Sequence, residues 1–194
     1  MMGDSKLTEA AARSVRRDRV KYLLTQSSIS MFLSPLAGTV LALTVWGDVA
    51  GWKLLVFNLG LGIIAALRLA LHRTLPREKV SDKTAGSWER RLVFSIFVSA
   101  FWWGAWGVTM ISAAPLESRL VIFTFLMMLS CAGSLRYAVH PAAAFTLPLT
   151  MSLPAILYFG LSSQRTQVTF ALAGCLFIAS ILHAVPIPIA CRRA

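Results

Sequence analysis

Acidic residues are scarce in this chain, and they avoid its apolar runs. Only eight of the 194 residues are Asp or Glu, and each lies in a polar loop or at the end of a hydrophobic stretch. Ion-coupled carriers and pumps rely on an intramembrane carboxylate that holds the ion and changes protonation. A secondary transporter is therefore disfavoured, although a passive conduit is not. Charge of either sign is sparse: 14% of residues are charged and 57% apolar, where an ordinary soluble domain carries about 25% charge. That balance excludes an ordinary soluble domain and points to a polytopic membrane protein. The three cysteines, Cys131, Cys175 and Cys191, are odd in number and lack paired spacing, so neither a disulfide frame nor a metal site is indicated. They read as small buried hydrophobes. HExxH, CxxC, GxSxG, Walker and GxGxxG signatures are all missing, which leaves no recognisable catalytic site and no cofactor to expect. Nor is the N-terminus a secretory signal, because about two dozen mostly polar residues precede the first apolar run.

What is present is a series of apolar runs of membrane-crossing length. The most telling is 87–113, which opens with Trp88, Glu89, Arg90 and Arg91 and then carries no charge until Glu117. From Leu92 to Ala113 it is long enough to cross about 30 Å of hydrocarbon at about 1.5 Å per residue. Its centre mixes Phe101, Trp102, Trp103 and Trp106 with Ala100, Gly104 and Gly107, a surface that another helix can approach closely. Five further runs, at about 27–46, 52–71, 119–135, 142–161 and 166–185, complete six predicted spans. The expected fold is all-α, with a basic N-terminal segment (1–26), a six-helix membrane domain (27–185) and a short tail (186–194). Residues 5–24 predict an interfacial helix held by anionic headgroups, and 72–86 predicts a loop punctuated by Pro76 and Gly86.

The 19 Lys and Arg residues decide the orientation. All but Lys53, Arg119 and Arg165 fall on the side that holds the N-terminus, the loop after the second span, the Arg136 turn and the C-terminus. Short basic loops stay cytoplasmic, so both termini are expected inside, with three outer hairpins of about five residues each. The net charge of +11 then implies anionic lipid as a partner rather than nucleic acid, since no basic face on a soluble fold is indicated.

Candidate functional residues follow from this frame. Arg68 and Arg136 share one level near the cytoplasmic boundary and as a pair could hold an anionic headgroup or phosphate; the commoner outcome for such residues is snorkelling along lipid. His72, His140 and His183 lie near the same boundary, but their spacing does not place them on facing sides, so a metal or haem site is not expected. Trp102, Trp103 and Trp106, with Phe97 and Phe101, either line an apolar ligand cavity or form packing surface, the latter being usual. Asn58 is expected to make an interhelical hydrogen bond. Three faces of small residues, Ser34/Gly38/Ala42, Gly62/Ala66 and Ala100/Gly104, are expected to pack helices, either within the bundle or between two copies.

Several segments carry a family likeness. RRDRVKYLL leads into the first span, LRLALHR closes the second, WERRLVFSIFVSAFWWGAWGV forms the third, and CAGSLRYAVHPAAAF joins the fourth to the fifth. Over roughly 13–185 the chain resembles the six-helix N-terminal sensory region of bacterial membrane-bound diguanylate cyclases and related GGDEF/EAL proteins; some sensor histidine kinases carry a similar region. The resemblance implies an inner-membrane sensory or regulatory module, possible dimerisation, and coupling to a cytoplasmic output partner in cyclic di-GMP signalling. No GG[DE]EF, EAL or kinase H-box occurs here, so no catalytic residue is carried over and the chain is expected not to be an enzyme. The rival expectations are a small transporter or channel subunit, and a lipid-modifying enzyme using Arg68, Arg136 or His140.

Overall fold

The computed structural model describes residues 2–74 and 82–184. Among the described residues the protein is all-helical, with α1 Met2–Thr44, α2 Gly51–Arg73, α3 Asp82–Ala113, α4 Leu116–Arg136, α5 Pro141–Met151, α6 Leu153–Gly160 and α7 Arg165–Ala184. Among the described residues five stretches are long and apolar enough to cross a membrane: α2, most of α3, α4, α5 with α6, and α7. The apolar part of α1, Ser30–Thr44, is shorter, about 22 Å at the helical rise. The tail 186–194 lies outside the described residues.

Long apolar side chains cover the outside of these helices. Phe32, Leu36, Leu55, Ile63, Leu67, Phe94, Met128 and Leu176 are all exposed. Without water in the bilayer core, such a surface faces a solvent as apolar as itself, so outward leucines mark a multi-pass membrane protein rather than a defect. Trp46 and Trp52 are exposed on either side of the turn between α1 and α2, where amphipathic rings sit well at a headgroup boundary. That turn closes at Gly47, whose φ of +95° is one L side chains rarely adopt.

α3 is the axis of the bundle, touching α1, α2, α4, α5 and α6, while α7 packs mainly on α6. Three close approaches set its position. Gly60 on α2 leaves the space that the Trp102 ring fills, and the Trp102 Nε1–H donates to the Phe57 carbonyl at 3.1 Å. Gly107 receives Leu126 from α4, whose methyl would lie 2.6 Å from a Cβ there. Gly104 faces the main chain of Thr150 and Met151 on α5.

Residues 5–24 are helical and feed the first apolar segment, α1 running unbroken through Pro35. Two expectations change. The loop after α2 is shorter than predicted, since Gly86 lies inside α3. The fifth run is not one helix but two, interrupted at Ser152. Pro154 explains the interruption, because it offers no N–H to the Thr150 carbonyl and its ring crowds that oxygen. Ser152 is fully buried there, and its hydroxyl meets that of Ser130 on α4 at 2.5 Å, which satisfies both in an apolar setting.

Candidate functional site

On α3, Ile96, Ser99, Ala100 and Trp103 fall at i, i+3, i+4 and i+7, so they share one face of the helix. On α1, Ser30 and Ser34 are one turn apart and likewise share a face. These two faces, with Arg68 from α2, Arg136 and Tyr137 from the end of α4, and Leu147 and Met151 from α5, enclose a cavity of about 160 Å³. Its polar groups gather at the end where Arg68, Arg136, Tyr137 and Ser30 meet. Elsewhere the lining is mostly apolar, interrupted by Ser99 and by Ser34, whose hydroxyl accepts the Trp103 Nε1–H at 2.9 Å.

Arg68 is only 5% exposed, so the snorkelling expected for it is overturned. Its stem is enclosed by protein rather than lying along lipid, because α1 and α3 close over that face of α2. Its Nη2 reaches the Tyr137 hydroxyl at 3.4 Å, a long contact. The same hydroxyl lies 3.0 Å from the Ser30 hydroxyl; accepting from Arg68 leaves the Tyr137 proton for Ser30. Arg136 is half-buried and lines the same cavity. Among the described residues lining the cavity, two are cationic and none is anionic.

The other candidates separate. Of the three tryptophans only Trp103 lines the cavity; it is buried, edge-on to Phe57 at 4.9 Å. Trp102 fills the α2 interface beside Trp106, and Phe97 and Phe101 face outward. His140 is not part of the cavity. It caps α5: its Nδ1 accepts the Ala143 N–H at 3.3 Å, and its Nε2 lies 2.8 Å from Glu89 Oε1 on α3. Nδ1 as acceptor places the ring proton on Nε2, which therefore donates to the carboxylate. Among the described residues no group of three His, Cys, Asp or Glu is placed to hold a metal ion.

The small-residue faces also divide. Ala42, Ala100 and Gly104 are buried inside the bundle, and Gly38 abuts Leu61, Asn58 and Phe57 of α2. Gly62 and Ala66 instead face out, beside an open groove with Leu55, Leu59 and Ile63, so among the described residues they pack against no other helix. Asn58 accepts from Thr39 on α1 at 3.4 Å and donates to Leu54 of its own helix at 2.9 Å. Cys131 is half-buried and Cys175 is exposed on the outer surface, which corrects the buried role expected of Cys175.

Sequence reasoning overlooked Tyr137, Ser30 and Ser99. Two signals point to the serines: Ser30 extends the Ser34/Gly38/Ala42 ladder by one turn, and Ser99 lies one turn before Trp103. No family model matches the chain, and no curated protein or solved structure matches it either. The likeness to cyclase sensory regions therefore rests on the quoted segments alone.

Proposed function

We propose that this chain is a membrane-embedded sensory or regulatory module of a bacterial inner-membrane signalling protein, acting on a cytoplasmic output partner in cyclic di-GMP signalling. In this reading α1 supplies a sixth span, because its helix continues beyond the apolar Ser30–Thr44 segment, and both termini are cytoplasmic by the distribution of Lys and Arg. The observation that carries the reading is the cavity. Five helices line it, so an occupant that fits one arrangement of them better than another shifts the population of the whole bundle. An arginine held inside a membrane bundle is costly and marks a functional position by default. The outer turns are short, which favours a stimulus arriving between helices over one caught outside.

The test compares intracellular cyclic di-GMP in a strain lacking the gene, the complemented strain, and one complemented with Gly104→Leu, which forces α3 from α5. The proposal expects the deletion to change the nucleotide level, the wild-type gene to restore it, and the variant to fail although it reaches the membrane. An unchanged level in all three strains, with solute flux through vesicles holding the purified protein, would replace it with the transporter or channel reading. The lipid-modifying alternative is less well supported, because His140 is engaged by Glu89 and Ala143 away from the two arginines.

A further inference from the structure

α2 and α3 meet closely where the Trp102 ring fills the Gly60 notch. One turn further along α2 the notch gives way to branched side chains, and the two helices part around a crevice of about 300 Å³. Ile64, Leu67 and Leu71 form one wall, and Arg91, Phe94 and Val98 the other. Each set is spaced i, i+3, i+7, so each is one face of its helix. The helices run antiparallel. Leu71 and Arg91 therefore share one end, at the boundary where the charge-free run of α3 begins, and Ile64 and Val98 lie about 10 Å deeper at the helical rise. Leu67 and Phe94 are each 65% exposed, so the crevice opens along its side to the outside of the bundle, where a multi-pass protein meets acyl chains. Its interior offers no free polar group to them: the Ser95 hydroxyl bonds the Leu92 carbonyl of its own helix at 2.7 Å, and Arg68 turns to Tyr137. The polar group at its mouth is Arg91, which is exposed and lies over the Trp88 ring at 5.0 Å. A guanidinium over a ring keeps its N–H groups for acceptors.

We infer that this crevice binds one anionic diacyl phospholipid, with its phosphate on Arg91 at the boundary and one acyl chain in the trough between Leu67 and Phe94. The inference does not depend on the sensory reading. A planar guanidinium matches two phosphate oxygens, and none of the described lining residues is acidic. An anionic headgroup is favoured over one bearing an ammonium, which would bring its own cation beside Arg90 and Arg91. The volume is about twice that of a cavity that holds one benzene, and the narrow, 10 Å trough suits a chain better than a ring system. A second copy of this protein is the poorer occupant. Twofold contacts set the same patch against itself, so such a pairing would face Arg91 with the partner's like charge.

The test introduces the photoreactive residue p-benzoylphenylalanine at Phe94 of the full-length protein. The purified protein is placed in nanodiscs of phosphatidylcholine with a minor share of phosphatidylglycerol and irradiated, and the attached lipid is identified by mass. The same photoreactive residue at Leu176, exposed on α7, reports the composition of the surrounding lipid. The inference expects phosphatidylglycerol to be enriched at Phe94 about fivefold or more over its share at Leu176, the weight that one basic residue carries with an anionic leaflet. Arg91→Gln should bring Phe94 down to the Leu176 ratio, and Arg91→Lys, which keeps the charge, should retain part of the enrichment. Ser95→Trp, which fills the trough and leaves Arg91 in place, should also abolish it. Arg91 is exposed, so its variants keep the bundle intact should Ser95→Trp fail to fold. Equal ratios at the two positions, or an enrichment that survives Arg91→Gln, would overturn the inference. Enrichment that survives Ser95→Trp would overturn it too, leaving only the general attraction of anionic lipid to a basic boundary. So would attachment of Phe94 to a second copy in preference to lipid. None of these outcomes bears on the sensory reading, which the nucleotide level decides.

Discussion

Gly104 is where the packing of this bundle is most exactingly tested by one atom. A Cβ at that position would come within 3.2 Å of Met151 Cα and closer still to the Thr150 carbonyl oxygen. Neither obstacle is the tip of a flexible side chain. The carbonyl is itself unusual, since Pro154 withholds the N–H that would ordinarily bond it, and Gly104 leaves the room beside it. Gly104→Ala therefore forces α3 and α5 apart rather than rotating a methyl aside. Overpacking of this kind costs about 1–3 kcal/mol, and a rigid main-chain obstacle puts it in the upper half of that range. Replacing a helical glycine returns up to about 1 kcal/mol, which leaves a net loss of about 1–2 kcal/mol. For a chain of this length that corresponds to a fall in Tm of about 2–8 °C. Gly62→Ala is the matched control, because nothing lies within 4 Å of a Cβ there; only the propensity gain applies, and its Tm should equal or exceed that of the wild type. Both are read by near-UV circular dichroism during heating in a mild detergent. A Gly104→Ala protein as stable as wild type would refute the α3–α5 crossing. A destabilised Gly62→Ala would instead place a second copy on the outward groove of α2.

Two further outcomes follow from the polar contacts. His140→Ala removes the cap of α5 and the partner of Glu89, and should cost about 0.5–2 kcal/mol; His140→Asn, which can still cap, should recover part of that in the same melting assay. Ser130→Ala strands the buried Ser152 hydroxyl at a cost of about 1–3 kcal/mol, so the Ser130→Ala/Ser152→Ala double variant should lose less than the sum of the singles.

The helices were legible because hydropathy alone dictates them: a run such as 92–113, with arginines before it and no charge within it, has no other stable conformation in lipid. Boundaries were less so. Gly86 signals a turn, yet α3 begins before it, and the basic segment 5–24 carries no residue that would end a helix before Pro35, so α1 is continuous. Pro154 was visible, but its effect depends on which neighbour accommodates the freed Thr150 carbonyl, and that partner, Gly104, is 46 positions away. The site was half legible. Arg68 and Arg136 stand out as cations near the boundary, but sequence shows only their depth, not their azimuth around each helix. Rotation decides whether an arginine reaches water or turns inward, and for Arg68 the packing of α1 and α3 settles it. Trp102 and Trp103 illustrate the same limit. They are adjacent in sequence, yet one fills a glycine notch on α2 and the other lines the cavity.

The most direct test of the whole account is which side of the membrane each end of α1 occupies, because the side on which the basic end of the cavity lies depends on it. Single cysteines at Ser14, Gly51, Thr74 and Ser163, all exposed, would be placed in a cysteine-free background and treated with a membrane-impermeant maleimide. The account predicts labelling of Gly51→Cys and Ser163→Cys in intact spheroplasts, and of Ser14→Cys and Thr74→Cys only after permeabilisation. Labelling of Ser14→Cys or Thr74→Cys in intact spheroplasts would contradict it.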